Sequence, residues 1–81
     1  MKFIYYSAVW CAPCKRVWPW VDAVAKEFGV PVDHVGVDHE PVDGVMSVPT
    51  LDIIVGGKLL KRIVRWSNVS ALAREVEEVM G

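Results

Sequence analysis

The sequence predicts an α/β domain in the order β-α-β-loop-β-β-α, with a four-stranded mixed sheet and helices packed on it. Three observations carry that prediction. The β-prone run Phe3-Ile4-Tyr5-Tyr6 is followed by apolar residues at helical spacing and then by a second β-prone run. That succession is the signature of a parallel, right-handed βαβ unit. The pair Gly56-Gly57 separates two further apolar runs and signals a hairpin. The last dozen or so residues return to helical spacing.

The elements follow in chain order. The first strand holds Phe3, Ile4, Tyr5 and Tyr6. From Cys14 onward the apolar residues fall at Val17, Trp18, Val21, Val24, Ala25 and Phe28, which is one face of a helix. Pro13 suits its first turn, where a missing N–H costs nothing. Pro19 lies inside it and is expected to kink it. Gly29 can end it and Pro31 prevents its resumption. Trp18 follows the apolar face, whereas Trp20 is off it and expected to be partly exposed. Residues 32–37 form the second strand. Residues 39–48 contain Pro41 and Gly44 and read mostly as loop, with room for one helical turn. Thr50–Val55 is the third strand and residues 58–65 the fourth; Lys58, Lys61, Arg62 and Arg65 crowd it, the first three guarding an edge. Asn68 can cap a last helix whose apolar residues are Val69, Leu72, Ala73, Val76, Val79 and Met80.

The bulk numbers narrow the function. Eighty-one residues, 1–81, make one small domain, and a hydrophobic fraction of 53% helps so short a chain build a core. A formal net charge of −1 points to no nucleic-acid or anionic-membrane partner. No apolar run approaches a membrane span. Residues 1–7 are too short and too quickly polar for a secretory signal, so a cytoplasmic location is expected. A single cysteine pair in that setting is catalytic or metal-binding rather than a staple. A disulfide across two residues closes a tiny loop and stabilises little.

Those two cysteines, Cys11 and Cys14, lie between the first strand and the first helix, in Trp10-Cys11-Ala12-Pro13-Cys14-Lys15. The β-α-β order sets them at the C-terminal edge of a parallel strand, where functional groups of open α/β sheets gather. The first sulfur then sits at a helix N-terminus, where unpaired N–H groups and the helix dipole favour a thiolate. The second sulfur lies about one turn on and can attack a mixed disulfide formed by the first. Cys11 is therefore the expected nucleophile, and the more exposed of the two; Cys14 is the resolving thiol. No further cofactor is expected beyond the redox-active Cys11–Cys14 disulfide.

The same motif resembles the active site of the thioredoxin-fold family, and the resemblance covers nearly the whole chain. Pro19, eight residues after Cys11, is similar to the family's helix-kinking proline, and Val48-Pro49-Thr50 to its cis-proline signature before a strand. Gly57 before a charged strand also matches. The family implies a thioredoxin-like fold and protein-disulfide reduction by dithiol exchange. It implies a cis Val48–Pro49 bond facing the cysteines, excluding metal, with the Val48 backbone pairing with a substrate strand. Ala12 replaces the family's usual Gly, and Tyr5 stands where thioredoxins have a buried Asp beneath the cysteines. His34 aligns with the partner Lys of that Asp. The loop of residues 38–49 is shorter than in thioredoxins and nearer a glutaredoxin. Arg65 replaces a Gly, and Trp66-Ser67 resembles a segment of small glutaredoxin-like redoxins that serve as electron donors to ribonucleotide reductase. The glutathione-binding Gly-Gly-x-Asp of glutaredoxins is absent. The chain thus resembles a small thioredoxin/glutaredoxin-like redoxin.

The resemblance and the residues together name a site. Cys11 and Cys14 are catalytic. Trp10, Ala12, Pro13, Val48, Pro49, Arg65 and Trp66 form the substrate-binding surface, with Trp66 alternatively packing beneath the last helix against Val69. The partners are protein disulfides and an electron donor of the thioredoxin-reductase type or glutathione, and a monomer is expected. Which group takes the Cys14 proton is open, because Tyr5 replaces the family Asp. His34 is one candidate and Asp52 another, against a partly exposed strand position and a surface position respectively. A zinc site from Cys11, Cys14, His34 and His39 is the non-enzymatic alternative, but nineteen residues between Cys14 and His34 exceed finger spacing. Ala12-Pro13 resembles a reducing dipeptide and sets an expected potential of roughly −200 to −280 mV.

Overall fold

Phe3 and Tyr5 are fully buried on one side of the first strand, β1 (Lys2–Ser7), and the rest of the molecule is arranged around that side. The computed structural model describes residues 1–39, 44–45, 47–64 and 66–80. After β1 come α1 (Ala12–Phe28), β2 (Val32–Gly36), β3 (Thr50–Val55), β4 (Lys58–Ile63) and α2 (Val69–Met80). The strands form one sheet in the order β2-β1-β3-β4. β2 runs parallel to β1, and β3 and β4 add antiparallel. This is the expected mixed α/β architecture, a thioredoxin-like fold. β2 and β4 end slightly earlier than the sequence pattern suggests, and Arg65 lies outside the described residues.

Local signals act where the residues place them. Cys11 is the N-cap of α1, with Pro13 in the first turn, and Gly29 closes the helix in the left-handed region at φ 66°. The helix runs through Pro19, which cannot supply the N–H that the Lys15 carbonyl would otherwise accept. Gly56 and Gly57 both take positive φ, 59° and 79°, as a two-residue turn between twisted strands requires. Asn68 caps α2 through its Oδ1, which accepts from the Ala71 N–H at 2.8 Å.

One face of the sheet carries Phe3, Tyr5, Leu51, Ile53 and Ile63, which pack on Val17, Val21, Val24 and Ala25 of α1 and on Leu72 and Val76 of α2. Period-2 alternation places those strand residues together, and the 3.6 period does the same for the helices. Val69 and Met80, expected on the apolar face of α2, are instead 39% and 48% exposed, because they sit at its two ends. The other face of the sheet pairs Ile4 with Asp52 and Asp52 with Arg62. A register shift between Ile53 and Ile54 makes Leu60 an extra residue in β4.

Candidate active site

The turn from β1 into α1 builds the site. Ser7 ends β1, the Cys11 N–H donates to the Ala8 carbonyl at 3.0 Å, and the chain enters α1 at Ala12. Cys11 and Cys14 are joined in a disulfide with Cα atoms 5.3 Å apart. The Cys14 N–H donates to the Cys11 sulfur at 3.2 Å. An orphan helix N–H is thus aimed at the sulfur that would carry negative charge once reduced. Both residues are buried, Cys11 at 4% and Cys14 at 2% exposure. The expectation that Cys11 would be clearly the more exposed is corrected for this disulfide state: the turn and the helix enclose both.

What is open is the surround. Val9 and Trp10 are 66% and 70% exposed, so Trp10 is no core residue and its indole is free to meet a partner. The Val48–Pro49 bond is cis. Val48 and Trp10, the neighbour of Cys11 in the chain, line one recess. Pro13, Pro49 and Trp66 line another, a groove of 510 Å³ that also takes in Arg16 and Ala71. The structure therefore gathers Trp10, Pro13, Val48, Pro49 and Trp66 around the Cys motif, with Ala12 exposed at the helix start. Trp66 packs half-buried against the core and also walls the groove. Its Nε1 is buried with no hydrogen-bond partner among the described residues.

Tyr5 occupies the space beneath the cysteines. Its hydroxyl donates to the Cys14 carbonyl at 2.7 Å, and burial pushes the phenol up to about 12. Tyr5 thus steadies the first turn of α1 and holds its own proton at neutral pH. Asp52 is not the surface residue of the alternative reading, and it does not lie beneath the cysteines. It is 2% exposed, and its register puts it on the sheet face away from Tyr5. Its carboxylate takes two hydrogen bonds from Arg62, at 2.7 and 2.8 Å, and one from the Tyr6 hydroxyl at 3.0 Å. Arg62 also donates to the Gly44 carbonyl at 2.8 Å. The edge reading of β4 holds for exposed Lys58, whereas Arg62 serves Asp52 and Lys61 pairs with Glu75 and Glu78 of α2. Arg62 as the partner of Asp52 has no local sequence signal, since it depends on the bulge at Leu60.

His34 lies alongside Tyr5 on β2, as the parallel register dictates. Its ring stacks on Trp18, with centroids 4.9 Å apart, and tilts against Tyr5 at 5.1 Å. Its Nε2 is 2.5 Å from the Ser7 hydroxyl. These groups and Cys14 share a cavity of 460 Å³. Ser7 went unnoticed in the sequence, although period-2 spacing from Tyr5 puts it on the same face. Among the described residues no three His, Cys, Asp or Glu side chains are placed to hold a metal ion, and no helix is long and apolar enough to cross a membrane.

The Thioredoxin family model matches residues 1–78. A thioredoxin of Streptomyces clavuligerus is 35% identical over 74 residues, spanning 85% of this chain and 69% of that protein. A bifunctional thioredoxin reductase/thioredoxin of Mycobacterium leprae is 35% identical over 81 residues, which is 93% of this chain and 18% of that one. In three dimensions the chain is similar to thioredoxin 1 of Thermosipho africanus TCF52B, with TM-score 0.87, 26% identity and coverage of 99% and 94% of the two chains.

Proposed function

The chain belongs to the thioredoxin family, a thiol–disulfide oxidoreductase with Cys11–Cys14 as its active-site disulfide, and from that premise we propose that it reduces protein disulfides with electrons from a thioredoxin-reductase-type enzyme. One observation carries the reading: the Cys11 sulfur caps α1, accepts the Cys14 N–H and is flanked by the exposed indole of Trp10. In the reduced protein the Cys11 thiolate attacks one sulfur of a substrate disulfide. The substrate S–S bond breaks and its second sulfur leaves as a thiolate. Cys14 then attacks the Cys11 sulfur, closes the Cys11–Cys14 bond and expels the first substrate sulfur. Two electrons pass to the substrate, and the protein is left oxidised.

Pro13, Pro49 and Trp66 supply a groove in which an extended substrate segment could lie, and Trp10 and Val48 line a second recess that offers it a flat contact. A relative that carries a reductase and a thioredoxin in one polypeptide supports the choice of electron donor. A reducing compartment, the cytoplasm, goes with this reading.

The test is insulin reduction driven either by NADPH and thioredoxin reductase or by glutathione and glutathione reductase. Turnover with the first pair and little with the second is expected; the reverse result would make the chain a glutaredoxin. Cys14→Ser should trap a mixed disulfide through Cys11, and Cys11→Ser should trap none. A potential near −120 mV, that of strong periplasmic oxidants, would overturn the reductase direction.

A further inference from the structure

We propose that His34, acting through Ser7, is the acceptor of the Cys14 proton when Cys14 resolves the mixed disulfide on Cys11. The inference rests on the two-step exchange above, which needs a group to take that proton. Burial in the turn makes a resting Cys14 thiolate unfavourable, because desolvation disfavours the charged form.

The groups around the sulfur can be taken in turn. Tyr5 touches Cys14, but its hydroxyl is spent donating to the Cys14 carbonyl, and burial holds its proton. Asp52 is on the other face of the sheet with its oxygens occupied by Arg62 and Tyr6. Of the charged groups that face the cavity, Lys15 from α1 is a cation and has no lone pair to offer. Asp38 and His39, beyond β2, face each other at 3.6 Å, with side chains 16% and 79% exposed. His34 is set apart from both by its bond to the Ser7 hydroxyl of the cavity wall. It shares the cavity wall with Cys14, and its ring is held between Trp18 and Tyr5.

Ser7 lines the same cavity as Cys14 and His34. Its hydroxyl, 2.5 Å from His34 Nε2, can donate to the imidazole while accepting from the cavity side. The proton leaves the Cys14 sulfur, passes by way of Ser7 or a cavity water, and ends on Nε2 as imidazolium. The Cys14 thiolate forms the bond to Cys11, and the electron pair of the broken bond departs on the substrate sulfur. His34 is also open to solvent, so its proton can escape to water or follow the departing thiolate. Imidazole is the side chain that changes charge near neutral pH, which suits it to accept and release within one cycle.

The test is single-turnover reaction of excess reduced protein with an aromatic disulfide that releases coloured thionitrobenzoate. Attack by Cys11 releases the first equivalent at a rate set by protein concentration. Resolution by Cys14 releases the second at a rate independent of it. His34→Asn should leave the first phase unchanged and slow the second about a hundredfold at pH 7, the low end for a positioned base. Ser7→Ala should slow the same phase by a smaller factor. An unchanged second phase in His34→Asn, or equal slowing of both phases, overturns the proposal. A wild-type protein with no second phase overturns it together with the two-step reading.

Discussion

The two faces of the central sheet bury a polar group in opposite ways. On the helix face Tyr5 is neutral, gives one hydrogen bond to the Cys14 carbonyl, and is otherwise packed among apolar side chains. On the other face Asp52 is buried with three hydrogen bonds, two of them from a guanidinium. The difference separates two tasks. Beneath the disulfide the sheet provides a rigid prop that keeps its proton at neutral pH. Across the sheet, the charge is committed to holding Arg62, and through it the Gly44 carbonyl, in the segment that leads toward Val48 and Pro49. Asp52 is therefore an anchor for Arg62 and the Gly44 carbonyl, and its oxygens are not left to serve the sulfurs.

The sharpest way to break this contrast is at the charged face. Arg62→Ala leaves the Asp52 carboxylate buried with Tyr6 as its remaining side-chain partner. Removing one member of such a pair costs about 3 kcal/mol or more, and a urea unfolding curve at pH 7 should show it. Asp52→Asn should cost less than Arg62→Ala. The Arg62 side chain is 29% exposed against 3% for Asp52, so the stranded guanidinium can turn to water where the carboxylate cannot. Equal losses would mean that the stranded guanidinium finds no more relief in water than the stranded carboxylate.

The neutral face should respond more weakly. Tyr5→Phe removes a single buried hydrogen bond and keeps the ring, a loss of about 1 kcal/mol at pH 7. Its pH signature is distinctive. The folded phenol titrates near 12 against an ordinary value of 10.0. Below pH 10 both states hold the proton and the contribution of the shift is complete. As pH rises from 10 toward 12 the unfolded chain loses its proton first, so stability falls. Tyr6 is shifted the same way, by burial and then by its hydrogen bond to Asp52, and adds to the same limb. Tyr5→Phe in the oxidised protein should make that limb shallower by up to about 1.4 kcal/mol per pH unit. An unaltered alkaline limb would show that the phenol is not the group the fold protects.

Much of this was legible in the sequence because the signals are local. Cys11 and Pro13 start α1, Gly29 stops it, the Gly56-Gly57 pair turns the hairpin, and Asn68 caps α2; each acts within a turn of its own position. The span Thr50–Val55 was readable from its apolar run alone. What escaped was register. Counting back from the glycine turn through Val55 opposite Lys58 and Ile54 opposite Leu59 would set Lys61 across from Asp52. The extra residue Leu60 moves every later side chain by one place, so Arg62 meets Asp52 and Lys61 swings to α2. No residue near Leu60 advertises that bulge. The burial of Cys11 was missed for a related reason: it depends on how the turn folds over the sulfur, which spacing does not encode. Ser7 beside His34 was recoverable from alternation along β1, but its significance needs the parallel partner strand in place.

The smallest expected effect lies on the same strand as the largest. Leu60 is the bulge residue itself, 54% exposed and opposite no partner of its own in β3. An apolar side chain that has left little water behind on folding has little transfer energy to lose. A lysine there also keeps the strand edge charged, in the manner of Lys58. Leu60→Lys should therefore change stability by less than about 0.5 kcal/mol, as substitutions away from buried contacts do. Two positions along, Arg62→Ala should cost several times more. If Leu60→Lys instead matches the Arg62 loss in urea unfolding, the bulge side chain is part of what holds the register. The Asp52–Arg62 pair would then depend on Leu60 for its alignment as well as on its own hydrogen bonds.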